Sequence, residues 1–302
     1  MSLKLPVLIP VLGALADPVR LRLVALCAPG ELTVKELTSA TGLSQPRISR
    51  HLKILVEAGV LRRFRDRHWV YYRLRHDGDA AALARHALAQ LSSADADVRA
   101  DARRLDEVLA ARAREAREAA GGDSDEVLTP AAWALAEQAI RELGRQALGP
   151  NGLGQLLDVG TGTGRVLRVL GLDAKRGTGI DASRPMRLAA RTALHDAGLA
   201  HCSVRDGDMY ALPFDDRAFD TVSIGRVLSG AQEPWAALAE AARVLKPGGH
   251  LLVFDVLPDG LPVDAWCQSL GGWIDAAGLT AGAQRRLALP GSCAVLMLAR
   301  RA

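Results

Sequence analysis

Apolar residues recur every three or four positions in the first part of the chain. Over the second half they gather into short unbroken runs. In "LADPVRLRLVALC", Leu15, Val19, Leu23 and Leu26 fall on one helix face, with Asp17 placed to cap and Pro18 at the first helical position. "TVKELTSATG" predicts a short second helix stopped by Gly42. Ser44 is the expected N-cap of a third, "QPRISRHLKILVEAG", where Ile48, Leu52 and Leu55 share a face, with Val56 at its edge and Gly59 as the stop. On that helix Pro46, Arg50 and Lys53 point away from the apolar face, and Arg47 and Ser49 flank them. "VLRRFRDRHWVYYRLR" then alternates about a four-residue turn, Arg65 to His68, and predicts a hairpin.

Residues 79 to 120, rich in Ala, Arg, Asp and Glu, read as helix with a break at Ser92 and Ser93. "GGDSD" at 121 to 125 reads as a linker. From 126 onward apolar runs alternate with helical patterns, the rhythm of βαβ units. The expected organisation is therefore α/β. A winged helix-turn-helix occupies 1–78, a helical linker or dimerisation segment 79–125, and a mostly parallel α/β domain 126–302.

The polar face of the third helix suits a DNA groove. Ser44, Gln45, Arg47, Ser49 and Arg50 lie toward its N-terminal half, where a recognition helix meets base edges, and Lys53 follows one turn on. The hairpin carries Arg62, Arg63, Arg65, Arg67, Arg73 and Arg75 against a single Asp, a wing suited to phosphate or minor-groove contact, with Arg65 and Arg67 at its turn expected to touch DNA. Trp69 and Tyr71 are expected to pack the hairpin onto the helices. The stretches "LADPVRLRLV", "LSQPRISRHLKILVEAGVL" and "RHWVYYRL" resemble the ArsR/SmtB family of winged-helix repressors. That resemblance implies a homodimer on a palindromic operator, with flanking helices at the seam. Metal-sensing members carry a Cys pair near the second helix. "ELTVKEL" has no cysteine and Cys27 stands alone on an apolar helix, so no metal is expected.

A second motif lies in "LLDVGTGTGRVLRVLG". Gly160, Gly162 and Gly164 follow Asp158 at a G-x-G-x-G spacing. A Walker loop would need a Lys after the last glycine, and a dinucleotide fingerprint a G-x-G-x-x-G spacing. The pattern resembles motif I of class I S-adenosylmethionine-dependent methyltransferases, and the segments from about 153 to 300 resemble their later motifs. The resemblance implies a Rossmann-like domain with a seven-stranded sheet, in which Asp158, Gly160, Thr161, Gly162 and Gly164 form the cofactor loop. It implies that Asp181, with Ala182 and Met186 beyond it, holds the ribose. Gly207, Asp208 and Met209 would frame the adenine, and Gly225 and Arg226 would border the ligand. The implied cofactor is S-adenosylmethionine or S-adenosylhomocysteine. No catalytic residue is assigned, because methyl transfer needs a base only for acceptors that must lose a proton.

Composition narrows the remaining choices. The chain has 302 residues, 49% of them hydrophobic and only 4% aromatic, so aliphatic residues must fill two cores. A net charge of +4 is too small for a polycationic tail, so the placement of the arginines decides what they do. There is no apolar run of about 18 residues, so no membrane span is expected. The N-terminus is expected to be a packing arm and helix and not a signal peptide. Cys27, Cys202, Cys267 and Cys293 are widely separated, which fits a reducing cytoplasm and disfavours arsenic methylation through clustered thiolates. The leading expectation is a transcriptional regulator whose methyltransferase-like domain binds the nucleoside. The alternative is an active methyltransferase on a small acceptor, with the winged helix regulating its own operon. Methylation of nucleobases ranks last, because "IGRV" lacks the expected D/N/S-P-P-Y/F motif.

Overall fold

The computed structural model describes residues 4–119, 128–149 and 152–302, so the expected linker "GGDSD" lies outside the described residues. The chain forms two compact units, one of Met1–Glu115 with Leu194–Ala200 and one of Ala116–Ala193 with His201–Ala302.

The first unit opens with α1 (Leu5–Leu15) and α2 (Pro18–Cys27). Asp17 caps α2, its carboxylate accepting the Arg20 N–H at 2.9 Å. The apolar face expected on one helix is thus split, since Leu15 ends α1 while Val19, Leu23 and Leu26 belong to α2. The strand β1 (Leu32–Thr33) leads into α3 (Val34–Thr41), which begins in a capping box. There Thr33 Oγ1 accepts the Glu36 N–H and Glu36 Oε2 accepts the Thr33 N–H. Gly42 ends the helix at φ +70.

Next comes α4 (Gln45–Glu57), with Ile48, Leu52 and Leu55 buried as expected. Ser44 occupies the N-cap position but its side chain makes no capping hydrogen bond. Pro46 in the first turn already removes one of the donors a cap would satisfy.

The hairpin is β2 (Leu61–Asp66) and β3 (Trp69–Leu74). Asp66 pairs with Trp69, so the turn is the two residues Arg67 and His68 and not four. Arg67 absorbs the tight reversal at φ +51. The strand β3 sits between β1 and β2 and is covered on both faces, so Tyr71, Tyr72, Arg73 and Leu74 are all buried. Arg73, one of the hairpin's basic residues, is therefore buried and lies 3.9 Å from the Glu31 carboxylate. Tyr71 packs inward, stacked on Phe64 at 5.6 Å. Trp69, on the same strand face but at the tip, is 38% exposed.

Two helices complete the unit, α5 (Asp79–Gln90) and α6 (Ala96–Ala119), separated at Ser92 and Ser93 as the sequence predicts. One stripe of α6 is buried: Asp101, Leu105, Leu109 and Arg112. Leu105 and Leu109 join the core built from Leu23, Leu26 and Leu37. The polar members of the stripe are paired. Asp101 accepts two hydrogen bonds of 2.7 Å from the Arg22 guanidinium and a third from Arg104. Arg112 reaches the α3 capping box, its Nη1 3.1 Å from Glu36 Oε1. These bidentate and charge-assisted contacts fasten α6 to α2 and α3.

The second unit begins with α7 (Pro130–Gln146), capped by Thr129. It continues as β4 (Gln155–Val159), α8 (Arg165–Gly171), β5 (Arg176–Asp181), α9 (Arg184–Asp196), β6 (Cys202–Asp206), β7 (Phe219–Gly225), α10 (Pro234–Val244), β8 (Leu245–Pro258), α11 (Val263–Ala276), β9 (Leu279–Leu289) and β10 (Ser292–Arg301). The sheet order is β6-β5-β4-β7-β8-β10-β9. Strands β4 to β8 pair in parallel, and β10 runs antiparallel to both its neighbours. This is the mostly parallel seven-stranded sheet expected for the second half of the chain. Pro247, Gly248 and Gly249 form an irregularity inside β8, where pairing with β7 jumps from Leu245 to His250. The strand order reverses at β4, which opens a crevice at the carboxyl ends of β4, β5 and β7.

Candidate cofactor cleft and recognition helix

The glycine loop joins β4 to α8 at that crevice. Gly160, Gly162 and Gly164 stand at φ +65, +54 and +83, so each alternate residue is left-handed, which glycine adopts without strain. At Gly160 a side chain would also collide, since a Cβ there would lie 2.6 Å from Val227 Cγ1.

Two carboxylates set the loop. Asp181 at the end of β5 accepts the Gly162 N–H at 2.9 Å and the Ser183 N–H at 2.8 Å. Asp158 is only 1% exposed and accepts from Thr161 Oγ1 at 2.6 Å and Ser223 Oγ at 2.7 Å. Burial pushes its pKa up to about 6 although both hydroxyls favour the charged form. A third buried carboxylate, Asp255 on β8, is held by the Ser229 N–H and Oγ and the Val256 N–H, and burial raises its pKa as well.

A cleft of about 200 Å³ lies over the loop. Of the residues expected at the cofactor, Asp158, Gly160, Thr161, Gly162, Asp181, Met186, Gly225 and Arg226 line it. The others sit outside its lining. Gly164 caps α8, packed against Ala190, and Ala182 is exposed. Gly207 packs on Ile180, and Asp208 is exposed and caps the Tyr210 N–H at 2.9 Å. Met209 packs onto the core beneath the sheet.

The structure adds residues that sequence reasoning did not assign to the cleft: Trp133, Thr163, Arg165, Val166 and Val227. Arg165 and Val227 directly adjoin expected positions, which was the available signal. Trp133 comes from α7, twenty-odd residues ahead of the loop, and nothing local to it points there. A larger cleft, about 360 Å³, lies at the opposite ends of the strands around Lys175, Lys246 and His250. Ligand crevices of open parallel sheets lie at the carboxyl ends, so the smaller cleft is the candidate site.

The polar groups of the cleft suit a nucleoside with a cationic tail. Carboxylates beside a bare backbone turn can accept ribose hydroxyls and face a sulfonium or ammonium favourably. The residues present therefore fit S-adenosylmethionine or its demethylated product.

On the first unit, Ser44, Gln45, Arg47, Ser49, Arg50 and Lys53 are all exposed on α4, and Arg65 and Arg67 are exposed at the end of the hairpin. Cys27 is fully buried in the core, and burial raises its thiol pKa. Among the described residues no group of three or more His, Cys, Asp or Glu is arranged to hold a metal ion.

Residues 17–63 match the family model described as "Bacterial regulatory protein, arsR family". Residues 157–253 match the one described as "Methyltransferase domain". The chain joins an ArsR-type helix-turn-helix region to a methyltransferase domain. The helix-turn-helix region is 57% identical over 65 residues to the arsenic resistance transcriptional regulator ArsR1 of Pseudomonas putida, a match covering 21% of this chain and 51% of that protein. The methyltransferase domain is 36% identical over 112 residues to a ubiquinone/menaquinone biosynthesis C-methyltransferase of Desulfotalea psychrophila, covering 36% of this chain and 44% of the relative. The chain spans about half the length of these curated relatives. A solved SAM-dependent methyltransferase from Aquifex aeolicus aligns with 54% of this chain and 97% of its own, at 24% identity and a TM-score of 0.40. No helix among the described residues is long and apolar enough to cross a membrane.

Proposed function

We propose that the protein is a transcriptional regulator whose methyltransferase domain binds S-adenosylmethionine or S-adenosylhomocysteine, and whose affinity for its operator depends on that ligand. The observation that carries this reading is the presence in one chain of an exposed basic α4 and a glycine cleft flanked by Asp158 and Asp181. Arg47 and Arg50 read base edges in the major groove, while Arg65 and Arg67 contact phosphates. The protein acts as a homodimer on a two-fold operator. In the cleft, Asp181 accepts the ribose hydroxyls, and Asp158 lies beneath the loop where the ligand's positive charge approaches.

A ligand shifts DNA affinity only as far as it binds the two DNA-competence states unequally. The test is operator affinity of the full chain with and without saturating S-adenosylhomocysteine and S-adenosylmethionine. A coupling of about 1–3 kcal/mol, 5- to 150-fold, is expected. Equal affinity in all three conditions contradicts the regulatory reading.

A second reading is favoured by the matched relatives that are named methyltransferases and by the buried Asp255 carboxylate beside the cleft residue Arg226. In this reading the domain transfers the methyl group to a small acceptor and the helix-turn-helix region regulates its own operon. Here the protein's part is to orient the acceptor and exclude water, and the cofactor supplies the methyl group. Production of S-adenosylhomocysteine when candidate small molecules are supplied distinguishes the two.

A further inference from the structure

A buried cation stands behind the Asp181 end of the cleft. Arg187, in the first turn of α9, is only 1% exposed. Arginine is seldom buried to this extent without committed partners, because withdrawing its charge from water is costly. Its Nη1 donates to the Asp181 carbonyl at 2.8 Å and to the Ala182 carbonyl at 3.0 Å. The same nitrogen lies 2.8 Å from Asp206 Oδ1.

Asp181 is the last residue of β5 and Asp206 the last of β6, and the two are paired in register. Carboxylates opposite each other on neighbouring strands repel. A guanidinium charge set against both positions offsets that repulsion. Its hold on the main chain matters as much. Where β5 leaves the sheet, anchored carbonyls fix the direction in which the Asp181 side chain departs. That carboxylate accepts the Gly162 and Ser183 N–H groups, so its placement is coupled to the glycine loop. Met186, next to Arg187 on the helix, lines the cleft, and Arg187 itself does not. Arg191, one turn further along α9, offers a contrast. It too is buried, but it donates to the Val204 carbonyl at 2.8 Å, inside β6 and short of the strand end.

Resting on the cofactor reading above, we propose that Arg187 is a positioning residue that makes the cleft selective for a ribonucleoside over its 2′-deoxy counterpart. It holds the Asp181–Ala182 main chain and balances Asp206. It thereby aims the Asp181 carboxylate at the ribose hydroxyls without touching the ligand. A carboxylate held in one orientation gains most from two adjacent hydroxyls, and it is left unmatched when one of them is missing.

The test uses the full chain and the variants Arg187→Met, Arg187→Lys and Arg191→Met, each first checked for cooperative melting. Every protein is titrated by calorimetry with S-adenosylhomocysteine and with its 2′-deoxyribose analogue. The wild type is expected to prefer the ribose form about ten- to a hundredfold. Arg187→Met should bring that preference close to one. Arg187→Lys keeps the charge but loses the planar fork, and should retain only part of the preference. Arg191→Met should melt earlier yet keep the wild-type preference. A role confined to stability would weaken both ligands equally, so an unchanged preference in Arg187→Met overturns the proposal. An equal loss of preference in Arg191→Met overturns it too, because the effect would then belong to any buried arginine of α9. Should Arg187→Met fail to fold or to bind, Arg187→Lys decides, and a wild-type preference there contradicts the positioning role. A wild type that binds both ligands equally refutes the ribose assignment of Asp181, and one that binds neither contradicts the cofactor reading. The proposal falls with either.

Discussion

The recognition helix and the cofactor cleft use charge in opposite ways. On α4 the arginines point to solvent while Ile48, Leu52 and Leu55 carry the fold, so function and stability occupy different faces. In the cleft the charged groups are part of the interior. Asp158 is almost fully buried, and Asp181 holds the backbone of the loop that it serves. A surface site can be altered at little structural cost, whereas a buried site cannot be changed without changing the fold's own energetics.

Substitutions can break or sharpen this contrast. The largest effect is expected at Gly160, where Gly160→Ala adds a Cβ at positive φ against Val227. Strain and overpacking together cost about 2–5 kcal/mol. Differential scanning calorimetry should show the lower transition, and titration the loss of S-adenosylhomocysteine binding. Next is Asp101→Ala, which strips the mostly buried Arg22 of its bidentate partner. Removal of one member of such a buried pair costs about 3 kcal/mol. The first unit should melt earlier while ligand affinity in the methyltransferase domain stays unchanged. A fall in ligand affinity would show that the two sites are not energetically separate.

Asp158→Asn tests the buried charge directly. The wild-type carboxyl rises from 3.8 in the unfolded chain to about 6 when folded, so the native state holds this proton more tightly. Wild-type stability is therefore greatest below the unfolded value and falls as pH rises through 6, by on the order of 3 kcal/mol. Asparagine removes that slope. The variant should match or trail the wild type near pH 4 and gain on it toward pH 7 in chemical denaturation. Parallel pH curves for the two proteins would place the titration elsewhere. The smallest effect on the fold is expected from Arg50→Ala: no change in melting, and a loss of about 1–3 kcal/mol in operator affinity if the residue reads a base.

The same contrast governs how far the sequence could be read. The face of α4 was legible because exposure there follows helical period alone. The glycine loop was legible because backbone conformation dictates residue type. The hairpin was read less well. Arg73 counts among the basic residues of the hairpin, but β3 is the middle strand of its sheet and Glu31 pairs with that arginine. Strand position is a tertiary fact that period does not carry. The hairpin turn was two residues shorter than expected because Arg65 and Asp66 continue the ladder. Trp133 and Arg165 at the cleft, and Ser223 outside its lining, meet partners distant in sequence, and no local spacing announces such contacts.

The most direct test is a calorimetric titration of the full chain with S-adenosylhomocysteine at neutral pH, beside Asp181→Ala. The account predicts saturable binding at one site per chain, with a matching rise in melting temperature, and its loss in the variant. Absence of heat and of any thermal shift in the wild type, or unchanged affinity in Asp181→Ala, would contradict it.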